Sequence, residues 1–447
     1  MKKHRYEFFA YNPPTSGVYR VNGFDYRSGE DFRSVGRCRE YKNCGFNKLQ
    51  LRYEHAYSGE PWEESETKYM WDVAYAAGIK KMLVTDLRLD RLVSTDKLVG
   101  EDGLFLNEKE LDEKISELVS VYKDKAGFYG IQLNDEPKYN MIGSYGLVAR
   151  SLKRVIPKVY IQMNLNPICV KIEGVDDAAV AYERYANEIL DATGLDHVSF
   201  DDYPFRREYI LSGWNLRNYQ ILARVCKQRK IELQTVLQSF SNTTYGIYRH
   251  RKITESDMYW QTNIAMGFGA REYAFYTYMP KYNIDYRDGG DGIDGSCFIN
   301  NDGSRSALFH FTKRIIKEMK KFSSVACKYD YENSWFVTEG GKNISDFEQT
   351  MLAEDHGAPP FEIRTDKGIL LVTEQKNGND SLFMIENVGN IKDELFNGAL
   401  PVNVEFSLPE GRKTFYRKAE KTDVEQSGGK YRVGLKVGEA LFVEIKK

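Results

Sequence analysis

The sequence predicts a (β/α)8 barrel followed by a small all-β domain. From residue 5 to about residue 325, short strand-like runs alternate with amphipathic helical stretches, as in a parallel sheet covered by helices. Eight such units suit a closed barrel, whereas a doubly wound sheet would carry a glycine-rich phosphate loop after its first strand. After residue 325 short runs alternate with turn residues. We therefore expect a barrel over residues 1–325 and a β-sandwich over residues 326–447.

The predicted elements follow one another along the chain in βα order. The eight barrel strands are predicted at Arg5–Ala10, Phe46–Glu54, Lys80–Asp86, Gly127–Glu136, Val159–Asn166, His197–Tyr203, Ile231–Phe240 and Glu272–Met279. Helices are predicted between them, for example at Glu108–Lys123, Asp177–Ala192 and Trp214–Arg229, and Ser306–Lys321 closes the barrel. The C-terminal strands are predicted at Gly368–Glu374, Ser381–Asn387, Val402–Phe406, Thr414–Arg417, Tyr431–Leu435 and Ala440–Ile445.

Net charge and composition indicate which kinds of molecule the protein binds. The 447 residues carry a formal net charge of −2, which argues against nucleic acid or an anionic membrane as the main partner. The first residues lack the apolar core of a signal peptide, and no apolar run is long enough to span a bilayer. We expect a cytoplasmic protein, or a secreted one whose signal has been removed. The 31 tyrosines suit sugar binding, although tyrosine also fills half-buried strand positions.

The sequence predicts neither a metal site nor a cofactor. The six cysteines form no CxxC pair, and the six histidines show no HExxH spacing. Four aspartates between residues 285 and 294 lack the register of a calcium loop, so we expect a solvated loop there.

Several predicted strands place polar residues on the barrel side. Successive side chains of a strand face opposite sides, so bulky Ile131 and Leu133 should face the helices while Gln132, Asn134 and Glu136 point inward. The second, fifth and sixth strands show the same alternation. Unpaired buried polar groups cost roughly 1–3 kcal/mol each, so we expect these groups to bond one another or a polar ligand. The inward polar residues at the C-terminal strand ends, where barrel active sites lie, are Glu54, Glu136, Asp201 and Gln238.

The most specific motif is Gly127-Phe-Tyr-Gly-Ile-Gln-Leu-Asn-Asp-Glu-Pro137. A carboxylic acid at a strand end in a cleft can protonate a glycosidic oxygen. The structural alternative is that Asp135 caps the next segment and Glu136 occupies a first turn.

This motif resembles the fourth strand of clan A glycoside hydrolases, and most closely its Asp-Glu-Pro variant in family-42-like and uncharacterised bacterial relatives. A second stretch, Tyr259–Tyr278, resembles the seventh helix and eighth strand of those barrels, whose aromatic strand end forms a sugar platform. The segment Asn301–Lys313 resembles the segment that enters their last helix, and Val437–Ile445 resembles the last strand of their C-terminal β-domains. The resemblance implies a glycosidase with a carbohydrate substrate and Glu136 as general acid. Such barrels often self-associate, which leaves a homo-oligomer open.

The seventh strand departs from that family. Clan A enzymes carry a nucleophilic glutamate at its end, but here Gln238 occupies the region. We therefore predict that Asp201, or failing that Asp202, is the base or nucleophile; the alternative is that one caps a helix and the other pairs with an arginine. The residues predicted to bind sugar are Asn134, Asp135, Glu54, Tyr203, Gln238 and Tyr278. The second hypothesis is a sugar-binding barrel that has lost catalysis.

The C-terminal domain is predicted to be structural. Its strands have core-like runs such as Leu441-Phe-Val-Glu-Ile445, and it lacks the tryptophan cluster of a free-standing sugar-binding module. The alternative is an accessory carbohydrate-binding domain.

Overall fold

The eight predicted barrel strands are all present and close into a parallel barrel. The computed structural model describes residues 5–14, 18–21, 24–27, 31–53, 59–93, 106–206, 212–241, 250–279, 297–300, 302–341, 357–389 and 401–447. Around the barrel the strand order is β1-β10-β9-β8-β7-β6-β5-β4. The barrel strands are β1 (Glu7–Ala10), β4 (Lys48–Tyr53), β5 (Met82–Asp86), β6 (Phe128–Asp135), β7 (Tyr160–Leu165), β8 (His197–Asp201), β9 (Glu232–Gln238) and β10 (Ala270–Tyr276). A two-stranded ribbon, β2 (Val18–Val21) and β3 (Phe24–Arg27), follows β1.

Helices cover the outside of the barrel. They are α1 (Val35–Cys44), α2 (Glu66–Ala76), α3 (Leu87–Arg91), α4 (Glu108–Val119), α5 (Ile142–Val155), α6 (Ala178–Thr193), α7 (Ser212–Arg229), α8 (Glu255–Gly267) and α9 (Ala307–Ala326). Local sequence fixes several ends: Asn107 and Glu110 form a capping box at the start of α4, and Gly194 ends α6 in a left-handed conformation. In the part of the chain that the structure describes, no helix is long and apolar enough to cross a membrane.

The barrel interior is polar through much of its depth. In its N-terminal half, Lys48 Nζ lies 2.7 Å from Glu272 Oε1 with both side chains buried, and Tyr160 donates to Glu272 at 3.2 Å. Above this pair, Gln50 donates to Thr85 and Thr85 donates to the amide oxygen of Gln132. The inward polar groups therefore largely satisfy one another, as the strand alternation predicts.

The C-terminal region forms two packed antiparallel sheets. The six-stranded sheet has the order β11-β13-β14-β20-β16-β17 and the four-stranded sheet the order β12-β15-β19-β18. Their strands are β11 (Asp330–Thr338), β12 (Ile363–Thr365), β13 (Ile369–Asn377), β14 (Asp380–Asn387), β15 (Val402–Phe406), β16 (Arg412–Arg417), β17 (Glu420–Lys421), β18 (Glu425–Ser427), β19 (Lys430–Leu435) and β20 (Ala440–Lys446). One apolar core, which includes Val372, Phe383 and Val443, fills the space between the sheets.

The other face of the six-stranded sheet packs against the barrel helices. Met384 is buried in the same apolar cluster as the barrel helices, and a Cβ added to Gly267 would approach its Sδ to 2.7 Å. Trp260 Nε1 donates to Val388 O at 3.3 Å, and Asn263 Nδ2 donates to Gly438 O at 3.0 Å. The helix α8 is consequently covered on both sides, by the barrel and by the sandwich.

Candidate active site

The end of β6 places two consecutive carboxyl groups at the C-terminal opening of the barrel, here called the mouth. The pairing of β6 with β7 shifts register between Gln132 and Asn134, which is a β-bulge. The bulge reverses the alternation after Leu133, so that Asp135 faces the barrel axis. There its Oδ1 accepts a hydrogen bond from Asn164 Nδ2 at 3.1 Å, and Asn164 Oδ1 accepts one from Ser199 Oγ at 3.1 Å.

Glu136 extends the backbone pairing of β6 with β7 by one hydrogen bond, but it has an unusual backbone dihedral angle. Its N–H donates to Asn164 O at 2.8 Å, while its φ of 56° lies in the left-handed region. That conformation costs a residue with a Cβ roughly 1–2 kcal/mol, and such strain is concentrated at functional positions. The side chain is exposed at the mouth. Partial burial of the carboxyl group and the neighbouring charge of Asp135 raise the pKa of Glu136.

Asp201, at the end of β8, completes a group of three carboxyls. Its side chain is 8 % exposed, and its Oδ1 has no hydrogen-bond partner among the described residues. The Tyr203 hydroxyl donates to the same carboxyl group. Burial raises the pKa of Asp201 well above its usual range, and the charges of Asp135 and Glu136 raise it further. Asp135, Glu136 and Asp201, hereafter the carboxyl cluster, therefore interact electrostatically at one site.

Tyrosines line the mouth beside the carboxyl cluster. The rings of Tyr203 and Tyr276 stack with centroids 5.8 Å apart, and Phe240 meets Tyr203 edge-on at 5.1 Å. The hydroxyl of Tyr11 accepts from the amides of Gln132 and Gln162 at 3.5 and 3.3 Å. Burial raises the pKa of Tyr11 well above its usual range, and the charges of Asp135 and Asp201 raise it further.

Sequence reasoning missed Tyr11 and Tyr276. Phe9 of β1 faces the barrel interior, and Tyr11, two residues later, faces the same way. Tyr11 lies one residue beyond the predicted end of that strand. Tyr276 belongs to the same aromatic strand end as Tyr278, the residue that the sequence predicts to bind sugar. Tyr278 is only 1 % exposed, and its ring packs against Tyr41 and Phe298 at 4.9 and 5.7 Å. Tyr278, predicted to contact the substrate, therefore lies in the aromatic core and not at the mouth.

Asn134 also departs from its predicted position. The bulge leaves it on the helix side, where Nδ2 donates to Asp90 Oδ1 at 2.9 Å and to the Tyr145 hydroxyl at 2.5 Å. Tyr145 belongs to α5, so the amide connects the strand to the outer helices. The prediction that Asn134 points into the barrel is wrong, because strict alternation does not survive a bulge.

Gln238 occupies the end of β9 but is closed off from the mouth. It is 0 % exposed; its Oε1 accepts from Phe205 N at 3.0 Å, and its Nε2 lies 3.3 Å from Phe205 O and 3.4 Å from Phe240 O. Both polar atoms of its side chain are thus bonded to backbone, and neither is directed to the mouth, where the sequence predicts that Gln238 binds sugar.

Asp202 faces away from the barrel axis. Its Oδ2 accepts from Asn218 Nδ2 of α7 at 3.0 Å, and burial raises its pKa to about 6. Asn218 Oδ1 also accepts a hydrogen bond from the backbone N–H of Ile168. Asp202 therefore contributes to holding the loop that contains Ile168 against α7. Of the two aspartates predicted as base or nucleophile, only Asp201 lies beside Glu136. Glu54 and the aspartates between residues 285 and 294 lie outside the described residues.

The chain has the fold of known glycoside hydrolase structures. An α-amylase from Anoxybacillus, assigned to a new glycosyl hydrolase subclass, superimposes with a TM-score of 0.53 and 13 % identity, covering 99 % of this chain and 98 % of its own. A glycoside hydrolase family 5 protein from Bacteroides vulgatus covers 99 % of this chain and 89 % of its own, with a TM-score of 0.51 and 12 % identity. An α-amylase from Geobacillus thermoleovorans in complex with acarbose gives a TM-score of 0.51 and 12 % identity, with 99 % and 98 % coverage.

Sequence comparison adds no closer relative. No protein-family model matches the chain, and no curated protein matches it. At 12–13 % identity, the structural likeness establishes the fold and leaves the activity to be argued from the site.

Proposed function

We propose that the protein is a glycoside hydrolase acting at the carboxyl cluster. The observation that carries this proposal is the convergence of Asp135, Glu136 and Asp201 at the C-terminal mouth of a barrel. Glycoside hydrolysis requires a carboxylic acid beside the leaving group and a negative charge near the anomeric carbon. The stacked rings of Tyr203 and Tyr276 offer an apolar face for a sugar ring, with hydroxyls for its polar groups.

Glu136 is the proposed general acid. A glutamate with the ordinary pKa of about 4.3 is almost fully ionised at neutral pH. The raised pKa of Glu136 increases the protonated fraction that an acid needs. Its exposed position lets it reach a glycosidic oxygen.

Of the remaining two carboxyl groups, one is protonated and the other carries the negative charge. Ionising Asp135 and Asp201 together is unfavourable because like charges repel. We assign the negative charge to Asp135, which accepts the amide hydrogen bond of Asn164, and the proton to the more buried Asp201. This differs from the sequence-based hypothesis, in which Asp201 is the base or nucleophile.

Glycosides that differ only in leaving group test the assignment of Glu136. We expect Glu136→Gln to lower kcat/KM at least 100-fold for methyl or disaccharide leaving groups, and less for nitrophenyl groups, which depart without a proton. The wild type should lose activity as pH rises through the raised pKa of Glu136, and the variant should lack this dependence. Glu425→Gln, at an exposed position of the sandwich, is the matched control. Unchanged activity of Glu136→Gln on the methyl and disaccharide substrates would remove Glu136 from the mechanism.

A sugar-binding barrel without catalysis is the second candidate, and the environment of Gln238 is the observation that favours it. A neutral amide bonded to backbone supplies neither nucleophile nor base. Calorimetry with oligosaccharides would support this candidate if binding occurs and no product forms during prolonged incubation.

We propose a structural role for the C-terminal domain, with the boundary at about residue 326. Its six-stranded sheet shares an apolar cluster with the barrel helices and bonds to α8 through Val388 and Gly438. Removing it would expose that apolar surface to water, at roughly 25 cal/mol per Å². A chain ending at residue 325 should therefore be insoluble or unstable. A folded truncation that loses affinity only for polysaccharides would instead assign the domain to sugar binding.

A further inference from the structure

Asp135, Asn164 and Ser199 are cross-strand neighbours on three consecutive strands of the barrel. Asp135 lies opposite Asn164 in the pairing of β6 with β7, and Asn164 lies opposite Ser199 in the pairing of β7 with β8. Ser199 Oγ donates to Asn164 Oδ1, and Asn164 Nδ2 donates to Asp135 Oδ1, each at 3.1 Å. The three side chains therefore form one hydrogen-bonded row that ends at the mouth.

The direction of these hydrogen bonds is the one that an ionised Asp135 needs. A carboxylate can only accept hydrogen bonds, whereas a protonated carboxyl group can also donate one. The Ser199 hydroxyl gives its hydrogen to the amide oxygen of Asn164, so the amide nitrogen is turned towards Asp135. A donor held in this position stabilises the charged form of the carboxyl group.

Asn164 also holds the proposed general acid, through its backbone. Its carbonyl oxygen accepts from Glu136 N at 2.8 Å, at the residue whose φ of 56° lies in the left-handed region. The side chains of Asn164 and Ser199 are buried, with only 2 % and 1 % of their residues exposed, so neither is accessible to a substrate. Their effect on hydrolysis must therefore pass through Asp135 and Glu136.

We propose that Asn164 and Ser199 are positioning residues of the carboxyl cluster, which hold Asp135 as an anion beside Glu136 and thereby set the lower pH limit of hydrolysis. This inference rests on the proposed glycosidase function and concerns the pH range over which the same site works. At low pH, protonation of Asp135 removes the negative charge that the mechanism needs near the anomeric carbon. The hydrogen bond from Asn164 opposes that protonation, because it is made to the charged form.

Other titratable groups act on Asp135 from three directions. In the described part of the chain they are Glu136 on the same strand, Asp201 and Tyr203 at and after the end of β8, and Tyr11 after β1. Burial raises the pKa of both tyrosines well above the usual range, so they stay neutral at the pH of the assays. Further out, Arg206 Nη1 lies 2.6 Å from His250 Nε2, and the charge of Arg206 acts on Asp202. All of these groups, and those of the segments outside the described residues, are unchanged in the variants below.

Variants of Asn164 and Ser199 test this inference in the full-length protein. The measurement is kcat/KM of a nitrophenyl glycoside from pH 4 to pH 8, because this leaving group departs without a proton and the profile then reports the carboxylate rather than the acid. We expect Asn164→Leu, which keeps the branched shape and removes the donor, to raise the lower pH limit by about one unit. On the acid side kcat/KM should fall up to about tenfold, and at neutral pH it should change little.

Three other variants separate this effect from a general loss of structure. Ser199→Ala leaves the amide of Asn164 without its fixed orientation, so the lower limit should rise by a smaller amount. Ser199→Thr keeps a hydroxyl group and should retain the wild-type limit. Asn218→Leu is the matched control, because it removes an amide donor 3.0 Å from the carboxyl group of Asp202, which faces away from the barrel axis. It should lower stability and leave the pH limit unchanged.

The outcomes separate this inference from the proposed function. A lower limit that is the same in wild type and Asn164→Leu, or a kcat/KM that falls by one factor at every pH, overturns the inference and leaves the glycosidase intact. Where Asn164→Leu does not fold, Ser199→Ala decides by the same criteria. Absence of hydrolysis of every glycoside refutes the proposed function instead.

Urea unfolding tests the hydrogen bond to Asp135 without any activity. The bond stabilises the folded protein while the carboxyl group is ionised, and this contribution is lost as pH falls and the group takes up a proton. Asn164→Leu, or Ser199→Ala in its place, should therefore cost more stability at pH 7 than at pH 4. A cost that does not depend on pH would show that Asn164 does not hold Asp135 as an anion, and it overturns the inference.

Discussion

Restoring a glutamate at the end of the seventh strand should destabilise the protein rather than create a nucleophile. In Gln238→Glu, one oxygen can still accept from Phe205 N, but the other replaces an amide that lies 3.3 Å from Phe205 O and 3.4 Å from Phe240 O. A buried carboxylate would then face two carbonyl oxygens without a donor. A buried charge left without its partner costs about 3–5 kcal/mol.

The cost should depend on pH in a defined direction. We expect burial to raise the pKa of the introduced carboxyl above its value of about 4.3 in the unfolded chain. Below that pH both states are protonated and the penalty is small. As pH rises towards the folded-state pKa, the unfolded chain loses its proton first, so the variant loses stability by about 1.4 kcal/mol per pH unit.

Thermal and urea unfolding at pH 5 and pH 8 measure this effect. An unfolding entropy of about 2.1 cal/mol/K per residue gives about 0.9 kcal/mol/K for a 447-residue chain that unfolds as one unit. The expected loss of 3–5 kcal/mol therefore lowers Tm by about 3–5 °C at pH 8. Gln228→Glu makes the same chemical change at an exposed position of α7 and should leave Tm nearly unchanged. A variant at position 238 that is as stable as wild type at pH 8 would refute the reasoning, because it would show that the strand end is open to solvent.

Three further predictions concern the interior. Gly130→Ala should prevent stable folding, because its Cβ would lie 2.1 Å from a backbone oxygen of the next strand, while Gly143→Ala, with nothing within 4 Å in a helix, should be neutral or stabilising; soluble yield and Tm compare the two. Lys48→Met should cost about 3–5 kcal/mol in urea unfolding, since it removes the cation paired with the buried Glu272 carboxylate, and the double variant with Glu272→Met should recover much of this; equal losses in single and double variants would contradict the explanation. Glu386 is 0 % exposed with both oxygens unpartnered among the described residues, and burial raises its pKa well above the usual range. Wild type should therefore lose stability relative to Glu386→Gln as pH rises above about 4.3, and a Tm difference that does not change with pH would count against this.

Strand alternation in the sequence was sufficient for the architecture. Eight strand-like runs that alternate with amphipathic helical stretches predicted the barrel, because a parallel strand needs a crossover helix to reach its neighbour and that helix covers the sheet. The change to short runs after residue 325 predicted the separate sheets in the same way. The inward directions of Gln132 and Asp201 also followed from alternation and are confirmed.

The composition of the site depended on contacts that no single segment encodes. A bulge arises from the register between two strands, so alternation along β6 alone gave the wrong direction to Asn134 and left Asp135 out of the inward set. Whether an aromatic residue lines the mouth or lies within the core depends on the elements around it, and this separates Tyr276 from Tyr278. The loop that folds over Gln238 is likewise remote in sequence, and only its closure determines that the end of the seventh strand carries an amide bonded to backbone. The sequence thus determined which faces are buried, because burial follows a local period; the tertiary structure decided which polar groups meet, because register and loop closure join residues far apart in the chain.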